Sequence, residues 1–357
     1  MVKLGISVGD INGIGCEVAL KTFKDQRMLD FCSPVFFASE ALLKQQLKAL
    51  QMNMPLKKAG DLKKLDKAGY YFSPPQQKEP KLEFGQSTAE AGAYAIASFT
   101  AAVKALKKGD IDLLVTAPIN KNNIQSEEFK FPGHTDYLSQ ELAGEGLMFM
   151  LSEEVKVGLL TDHIAVKEVG DAINGQVIDQ KVNALLHSLR ADFGIRKPKI
   201  ALLGINPHSG DNGTIGQEDE KIMKPAIKRW FDKGELVFGP YSADSFFGSG
   251  THKGFDAVLA AYHDQGLIPF KTLSFGQGVN YTAGLEKVRT SPDHGTAYEI
   301  AGQNKADHHS FKQAVFTGLE ILQKRSEYTE LCSNPLQKQK MQRKKDKKPS
   351  GQLQDKA

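Results

Sequence analysis

Short, largely apolar segments alternate with helix-like segments along most of this 357-residue chain. Four of them, at residues 111–116, 155–160, 199–205 and 257–261, have the length and composition of strands that are buried on both faces of a sheet. Amphipathic helical patterns separate them, as at residues 177–193, where apolar side chains recur every three or four positions. This alternation predicts an α/β fold whose mostly parallel sheet is covered by helices on both faces.

The first predicted strand, residues 3–8, runs into a turn rich in glycine at residues 9–15. Its glycines are spaced G-x-x-x-G-x-G, whereas a dinucleotide-binding strand–turn–helix unit carries G-x-G-x-x-G. We therefore interpret this segment as a tight turn that lets the backbone approach a neighbouring element, followed by a helix that starts near Cys16.

Other local signals mark the boundaries of further elements. Ser87 and Glu90 form a capping-box pattern, which predicts that Ser87 caps the next helix and that Gly109 ends it. Residues 54–85 favour irregular structure with one strand near residues 69–72. The remaining predicted elements include a strand at residues 35–38 and helices at residues 39–50 and 218–232.

Composition limits the class of protein and its compartment. Hydrophobic residues make up 40% of the chain and charged residues 25%, and no apolar run approaches the roughly 20 residues needed to span a bilayer. The N-terminus lacks the pattern of a signal peptide. Cys16, Cys32 and Cys332 are too few and too far apart for a disulfide framework. We therefore predict a cytoplasmic protein without a membrane partner.

The basic character of the chain is concentrated at its C-terminus. Residues 333–357 carry eight Lys or Arg and two Asp, a net charge of +6. Because the whole chain carries +4, the other 332 residues carry −2, so no nucleic-acid partner is expected for the folded part. The tail lacks the apolar residues that a core requires, and we predict that it is disordered rather than an RNA- or membrane-binding element.

The segment at residues 257–302 has the pattern of a ligand site. Its predicted strand, residues 257–261, is followed by many polar and basic residues among glycines, which we interpret as a sequence rich in loops. Asp244 precedes it in another predicted loop. In open α/β sheets, ligands bind beyond the carboxyl ends of the strands. We therefore place the functional site at this edge of the sheet.

Three histidines, His163, His208 and His263, each follow a predicted buried strand within a few residues. Parallel strands deliver their carboxyl ends to one edge, where three imidazoles can converge on a cation and leave one coordination position open. Three nitrogen ligands suit zinc, cobalt or nickel, and added carboxylates would admit manganese or magnesium. Taken singly, each histidine is better explained as a hydrogen-bonded loop residue, and the metal site depends on all three occurring together.

A second group of side chains has the composition of an anion site. Lys271, Asn280 and Arg289 lie among glycines, and Arg offers a planar fork where Lys offers a point charge. His134 and Thr135, at a predicted helix start, would add backbone amides and the helix dipole. Together these residues predict a site for a phosphate or a carboxylate, although Thr135 alone also fits a helix cap.

Several motifs resemble those of the 4-hydroxythreonine-4-phosphate dehydrogenase family of pyridoxal phosphate biosynthesis, in the family's order over about residues 3–330. They are GHTDYL at 133–138, TDH at 161–163, NPH at 206–208, YHDQG at 262–266, GVN at 278–280 and RTSPDHGTAYEIAG at 289–302. The last motif is also similar to the adenosine-binding loop of isopropylmalate and isocitrate dehydrogenases. The first turn departs from the family pattern, because Ile11 and Asn12 stand where Pro and Ala are usual, but this change touches no catalytic residue.

The resemblance implies an isopropylmalate dehydrogenase-like fold with two α/β/α lobes and a mostly parallel sheet. On this basis residues 1–332 form the catalytic unit, with one lobe made of residues 1–125 and 286–332 and the other of residues 126–285. It also implies a homodimer with the active site at the subunit interface, so that metal ligands can come from both chains.

The resemblance further implies a role for each matched residue. One divalent metal ion, such as zinc, cobalt, magnesium or manganese, would be held by His163, His208 and His263. The phosphorylated substrate would be bound by His134, Thr135, Lys271, Asn280 and Arg289. NAD or NADP would lie near His294, Gly295, Thr296 and Ala297. Catalysis would use Lys271 as a proton carrier and Asp244 as a group that orients a metal-binding histidine or takes a proton.

The implied reaction is the NAD-dependent oxidation and decarboxylation of 4-hydroxy-L-threonine 4-phosphate to 3-amino-2-oxopropyl phosphate. A dehydrogenase of the same fold acting on threonate or erythronate 4-phosphate would share the anion-binding residues and stays open as an alternative. A metal-dependent phosphatase would use the three histidines without NAD, and the segment HGTAYEIAG at residues 294–302 argues against it. A binding protein without enzymatic activity is the least expected class, because it would need neither a metal triad nor a cofactor loop.

Overall fold

The computed structural model describes residues 1–335 apart from residues 66, 127, 128, 132 and 275. The basic tail that we predict to be disordered lies, from residue 336 onward, outside the described residues. In the described part of the chain, no helix combines the length and the apolar character needed to cross a membrane.

The described chain contains twelve strands and ten α-helices. The strands are β1 Val2–Ser7, β2 Cys32–Phe37, β3 Leu56–Lys58, β4 Tyr70–Phe72, β5 Leu113–Thr116, β6 Gly144–Leu151, β7 Lys156–Leu159, β8 Lys199–Leu203, β9 Leu236–Tyr241, β10 Ala257–Ala260, β11 Val279–Leu285 and β12 Val288–Pro292. The helices are α1 Gly15–Thr22, α2 Glu40–Ala49, α3 Ala89–Lys107, α4 His134–Glu141, α5 Val169–Ala172, α6 Gly175–Ala191, α7 Lys224–Asp232, α8 Ala243–Gly248, α9 His263–Leu273 and α10 His309–Ser333.

All twelve strands form one continuous sheet in the order β3-β4-β2-β1-β5-β12-β11-β6-β7-β10-β8-β9. Eight of the eleven neighbouring pairs are parallel. The three antiparallel pairs lie together in the middle, where β12, β11, β6 and β7 are neighbours. The predicted α/β fold with a mostly parallel sheet is therefore confirmed.

Helices cover both faces of the sheet, and each face has its own apolar cluster. Along β5, Leu113 and Val115 pack into one cluster and Leu114 packs into the other. Helix α10 contributes Phe311 to the first cluster, and α3 contributes Phe99 to the second. Interior strands are consequently buried on both sides, which explains why their sequences are continuously apolar rather than alternating.

The predicted cap of α3 is wrong by one residue. Thr88, not Ser87, is the N-cap, and its hydroxyl accepts a hydrogen bond from the backbone N–H of Ala91 at 3.2 Å. The hydroxyl of Ser87 instead accepts from the side-chain amide of Asn120 at 3.0 Å. Both hydroxyls suit a cap, and a tertiary contact that the local sequence does not reveal decides between them.

The strands that the sequence does not predict depend on their neighbours. Residues 54–85 contain β3 as well as the predicted β4, and β6 and β9 are also additional. Strand β3 has three residues, of which two are exposed, so it is defined by its pairing with β4 and not by an apolar pattern. Pairing between strands is a tertiary property that a local pattern cannot show.

The loop-rich interpretation of residues 257–302 is also wrong. Lys271 lies in the last turn of α9, Asn280 in β11 and Arg289 in β12. The sheet accommodates Gly284, with φ at +81°, at an irregularity in β11. Asp244, predicted in a loop, lies in the first turn of α8.

A buried ionic network joins α6, β11 and α10. Asp192, at the end of α6, accepts hydrogen bonds from the Tyr281 hydroxyl at 2.6 Å and from Arg325 Nε at 2.5 Å. Arg325 Nη2 also donates to the Tyr281 hydroxyl at 2.8 Å. Burial, followed by the charge of Asp192, raises the pKa of Tyr281 well above its ordinary value, so the phenol keeps its proton.

We expect Arg325→Ala to lower the free energy of unfolding by about 3–5 kcal/mol, because the side chain of Asp192 is almost fully buried and would lose its cation. Lys324→Ala is the matched control, since Lys324 makes a partly exposed ion pair with Glu327 and should change stability by less than about 1 kcal/mol. Urea denaturation of both variants tests this. Equal effects would show that the buried network contributes little.

Candidate active site

A polar cavity of about 290 Å³ lies beyond the ends of several strands. The residues predicted for the site that line it are His134, Thr135, His163, His263, Lys271, Asn280, Arg289, His294 and Gly295. They come from α4, α9, β11, β12 and two connecting segments, over about 160 positions of sequence. The fold thus brings together most of the residues that the sequence predicts for the site.

Arg289 lies at the back of this cavity and is 2% exposed. Its Nε and Nη2 donate to the Thr116 hydroxyl at 3.0 and 2.5 Å, and its Nη2 also donates to His134 Nδ1 at 3.0 Å. Burial lowers the pKa of Arg289 to about 9, so the guanidinium is still charged at neutral pH. A buried cation with only neutral oxygen and nitrogen partners favours an anionic ligand.

His134 is held in its neutral form by its surroundings. Burial lowers its pKa well below the ordinary value, and the charge of Arg289 lowers it further. Because Nδ1 accepts from Arg289, we assign the proton of the neutral ring to Nε2. Nε2 is buried and has no hydrogen-bond partner within the described chain, so it is a donor available to a ligand.

Further buried polar atoms around the cavity lack partners. Within the described residues these are Asp136 Oδ2, Asn280 Oδ1 and His294 Nε2. Each such group costs about 1–3 kcal/mol when it is left unsatisfied. A polar ligand that pairs with these atoms would recover that cost, so the cavity is suited to a small molecule rich in donors and acceptors.

Two imidazoles face each other at the cavity wall, with 5.8 Å between the ring centroids of His163 and His263. His263 Nδ1 lies 2.7 Å from Asp264 Oδ1, an arrangement that leaves its Nε2 free. Lys121 Nζ lies 3.1 Å from His163 Nε2. Burial, followed by the charge of Lys121, lowers the pKa of His163, which favours the neutral ring that a metal ion requires.

His208 does not line this cavity. It is exposed and lies in the turn after β8, and its charge contributes to lowering the pKa of Asp244, after a hydrogen bond from Ser242. Among the described residues, the three side chains whose ligand atoms converge within 4.8 Å are Asp307, His308 and His309 at the start of α10. A single chain therefore brings together two of the three predicted metal ligands.

Asp244 and Lys271 have different surroundings from each other. Asp244 lines a separate, mainly apolar groove of about 500 Å³ between α8 and α9, rather than the polar cavity. Lys271 lines the cavity, and its Nζ lies 3.6 Å from Asp293 Oδ1. Burial raises the pKa of Asp293, and the charge of Lys271 partly opposes that rise.

The predicted cofactor loop, residues 294–297, packs against the glycine-rich turn at residues 9–15. The backbone N–H of Ile14 donates to the Thr296 carbonyl at 2.9 Å, and a Cβ on Gly13 would lie 2.7 Å from the same oxygen. Tyr298 donates its hydroxyl proton to Asp10 at 2.7 Å. Close approach of two backbones explains the glycine at position 13 and agrees with the interpretation of this segment as a tight turn.

Comparison with known proteins decides the family. Residues 30–318 match the family model described as "Pyridoxal phosphate biosynthetic protein PdxA". The chain belongs to the PdxA family. It is 43% identical to the 4-hydroxythreonine-4-phosphate dehydrogenase of Bacteroides thetaiotaomicron, over 97% of this chain and 95% of the relative. It is 34% identical to a putative D-threonate 4-phosphate dehydrogenase of Oceanobacillus iheyensis, over 89% and 97%.

Solved structures of the PdxA family have the same architecture. A crystal structure of 4-hydroxythreonine-4-phosphate dehydrogenase from Klebsiella pneumoniae is 31% identical, covers 90% of this chain and 98% of its own, and superposes with a TM-score of 0.77. A Burkholderia phymatum enzyme of the same name gives 33% identity and a TM-score of 0.74, over 90% and 98%. The two comparisons confirm the isopropylmalate dehydrogenase-like fold class and the resemblance drawn from the motifs.

Five polar residues of the cavity in this PdxA-family chain were not predicted: Thr116, Lys121, Asp136, Ser291 and Asp293. Thr116 is the last residue of β5, and Lys121 follows the same strand. The rule that polar residues after buried strands form sites would have found both. Asp136 and Asp293 lie inside quoted motifs but have no local signal that separates a ligand contact from a structural carboxylate.

Proposed function

We propose that this chain oxidises and decarboxylates 4-hydroxy-L-threonine 4-phosphate to 3-amino-2-oxopropyl phosphate with NAD as hydride acceptor. The observation that carries the proposal is the buried Arg289–His134 pair in a cavity that is also lined by the imidazoles of His163 and His263. A charged clamp and a metal-binding wall in one small cavity suit a substrate that carries both a phosphate and a hydroxyl. The Bacteroides enzyme named above, at 43% identity, supports the same activity.

In this proposal the phosphate lies against the basic part of the cavity. Arg289 and Lys271 supply positive charge, and His134 Nε2 supplies a neutral donor. Thr135, in the first turn of α4, adds backbone amide groups at a helix N-terminus. The side-chain oxygen of Asn280 is the acceptor left for a protonated group of the substrate, such as its amine.

The histidines fit a divalent metal ion. Zinc and cobalt bind an imidazole through an unprotonated ring nitrogen, and His163 and His263 present two imidazoles whose centroids are 5.8 Å apart. His208 would complete the set, from the same chain or from the second chain of a homodimer, with Asp244 orienting it. Asp136, with one unpaired oxygen in the cavity, would also admit magnesium or manganese. When bound, the metal would polarise the substrate hydroxyl and ease loss of its proton.

Side chains of the protein would accept and donate the protons of the reaction. Oxidation transfers a hydride from carbon to NAD and releases the hydroxyl proton, and loss of carbon dioxide then requires a proton on the carbon that carried the carboxylate. Lys271 Nζ is the group that we assign to proton transfer, because it lines the cavity and is held near Asp293. The aliphatic side chains of Met148 and Leu267 restrict the access of water to the same cavity.

NAD or NADP is assigned to residues 294–297, and its site can be tested at Gly295. A Cβ on Gly295 would meet no atom within 4 Å, so Gly295→Val should fold normally and weaken NAD binding by roughly tenfold to a hundredfold through steric overlap. Gly254→Val, equally free of neighbours, is the control. Gly13 is unsuitable as a control because it contacts Thr296. An unchanged dissociation constant for NAD, measured by calorimetry, would remove this assignment.

A homodimer is supported by the groove between α8 and α9. Ile268 is 65% exposed and Leu273 41% exposed, an unusual amount of apolar surface next to His263 at the start of α9. A second chain that covers this groove would lie beside the cavity, as expected for an active site at a subunit interface.

We expect Ile268→Glu to convert a dimer into a monomer and to reduce turnover, because a carboxylate would be buried without a partner. Phe231→Glu is the matched control, since Phe231 on α7 is 56% exposed and lies away from the groove. Light scattering at matched concentrations reports the mass of each variant. A wild-type monomer with full activity would exclude the dimer.

The division into lobes is also a proposal. Strands β1–β5 and β12 occupy one part of the sheet and β6–β11 the other, which supports lobes made of residues 1–125 with 286–332 and of residues 126–285.

All three cysteines are free, and burial raises the pKa of Cys16 and Cys32 to about 12. Unpaired cysteines agree with the cytoplasmic location that we infer.

The decisive experiment compares substrates side by side. Formation of NADH is measured with 4-hydroxy-L-threonine 4-phosphate and with D-threonate 4-phosphate under one set of metal conditions. We expect the amino acid phosphate to give the higher kcat/KM. The opposite ranking would assign the second function, which the 34% identity to the Oceanobacillus protein keeps open. Phosphate release without NADH would show a phosphatase.

A further inference from the structure

His208 lies in a turn whose backbone is left-handed over five successive residues. The φ angles of residues 208–212 are 52°, 50°, 82°, 41° and 54°, and among these residues Gly210 is the one glycine. Residues with a Cβ avoid this region, and they rarely follow one another in it. Such a turn persists only where its surroundings hold it in place.

Asp219 anchors the backbone segment that directly precedes this turn. The side chain is fully buried, and its Oδ1 accepts from the backbone N–H of Ile205 at 2.8 Å. Its Oδ2 accepts from the backbone N–H of Asn206 at 3.0 Å and from the side-chain amide of Asn206 at 2.9 Å. Pro207 is the one residue between these anchored amides and His208.

The neighbouring elements are shaped to let the carboxylate approach. A Cβ on Gly204 would lie 2.9 Å from Asp219 Oδ1, so the last residue before the anchored amides has to be small. Asp219 starts a widened, π-type helical turn, residues 219–223, that precedes α7, and such turns are common at functional sites. Beyond His208, the Ser209 hydroxyl donates to the Pro240 carbonyl at 3.1 Å and fixes the turn to β9.

We propose that Asp219 is a positioning residue for the metal site: it holds the left-handed turn so that the exposed His208 imidazole is presented as a metal ligand. Asp219 does not line the polar cavity and touches neither substrate nor cofactor in the proposed function, on which this inference rests. Its effect passes through the backbone of residues 205–208. Among the residues assigned above to metal, substrate and cofactor, none supplies this constraint.

Asp219→Asn keeps the size of the side chain but replaces one acceptor oxygen with a donor that faces N–H groups. We expect it to weaken Zn²⁺ binding by roughly tenfold to a hundredfold, measured by competition with a chelating dye, as is usual when a group that orients a ligand is lost. The visible spectrum of bound Co²⁺ should change as one nitrogen ligand is lost. Asp219→Glu keeps the charge and should restore part of the affinity.

Glu220→Gln is the control, because the Glu220 carboxylate pairs with Lys224 and does not contact the turn. Hydrogen exchange of the Ile205 and Asn206 amides should speed up in Asp219→Asn and not in Glu220→Gln. If Asp219→Asn does not fold, Asp219→Glu decides, since its longer side chain cannot keep both bonds to the Ile205 and Asn206 amides in the wild-type geometry and should bind Zn²⁺ more weakly than the wild type. If whichever of these two variants folds binds Zn²⁺ as tightly as the wild type, the proposal is wrong.

The failure of this inference differs from a failure of the proposed metal site. If His208→Ala binds Zn²⁺ as tightly as the wild type, the histidine triad itself is wrong. If His208→Ala loses affinity while Asp219→Asn and its Co²⁺ spectrum match the wild type, the triad stands and only the positioning role falls.

Discussion

Arg289→Ala is expected to remove most of the preference for a phosphorylated substrate over its dephosphorylated form. Arg289 is the buried cation of the cavity, and each charge-assisted hydrogen bond to phosphate contributes about 1.5–3 kcal/mol. Loss of one or two such bonds corresponds to a fall in the ratio of kcat/KM values of roughly tenfold to several hundredfold or more. Because remote binding energy also positions the reacting carbon, kcat for the phosphorylated substrate should fall as well.

The measurement is the ratio of kcat/KM for phosphorylated and free 4-hydroxythreonine in each variant. Lys287→Ala is the matched control, since Lys287 lies in the turn between β11 and β12 and pairs with Glu286 outside the cavity. Arg289→Lys should recover the charge but not the fork, and so should give an intermediate ratio. A wild-type ratio near one would show that the basic residues do not form a phosphate clamp.

His163→Ala and His263→Ala are each expected to abolish turnover and leave the fold largely intact. The loss of a group that merely orients a metal ligand costs about tenfold to a hundredfold, and removal of the ligand itself should cost at least as much. The two rings are partly exposed and line the cavity, so their loss disturbs little packing. Any residual activity should respond to added metal.

His187→Ala is the control for these variants, because His187 on α6 packs against Tyr328 on α10 and lies outside the cavity. Metal content is measured by elemental analysis alongside NADH formation. Full metal occupancy in the triple variant of His163, His208 and His263 would contradict the proposed ligand set. Full activity after removal of metal by a chelator would contradict metal dependence altogether.

The buried clamp also bears on which phosphate ester the enzyme takes. In the proposed function Arg289, His134 and Lys271 bind the phosphate, and they would treat 4-hydroxythreonine and threonate phosphates alike. Discrimination between an amine and a hydroxyl on the substrate has to come from acceptors such as Asn280 Oδ1 and Asp136 Oδ2, which have no partner within the described chain. A protonated amine is stabilised by a carboxylate, whereas a hydroxyl gains less from it. The side-by-side comparison of substrates therefore reports mainly on these two side chains.

The sequence by itself determined the class of fold and the edge of the sheet where the site lies. Continuously apolar strands have to be buried on both faces, and the helical segments between them make the sheet mostly parallel. Polar residues that follow such strands gather at one edge, so His163 and His263 reach the same cavity. These are consequences of local patterns, and they hold without knowledge of which strands are neighbours. The motifs likewise indicate the family without knowledge of the tertiary structure, since each is a short local sequence.

Tertiary structure alone decided how those residues are held. Arg289 was expected among loops, but it lies in a strand and is buried because Thr116, 173 positions away, comes to lie beside it. Position 208 follows the end of β8 at the predicted edge, yet the left-handed turn anchored by Asp219 places it outside the cavity of its own chain. The N-cap of α3 is Thr88 and not the predicted Ser87, because the Ser87 hydroxyl accepts a hydrogen bond from Asn120 instead. In each case the deciding partner is distant in sequence, and a local pattern carries no information about which distant group will fill a contact.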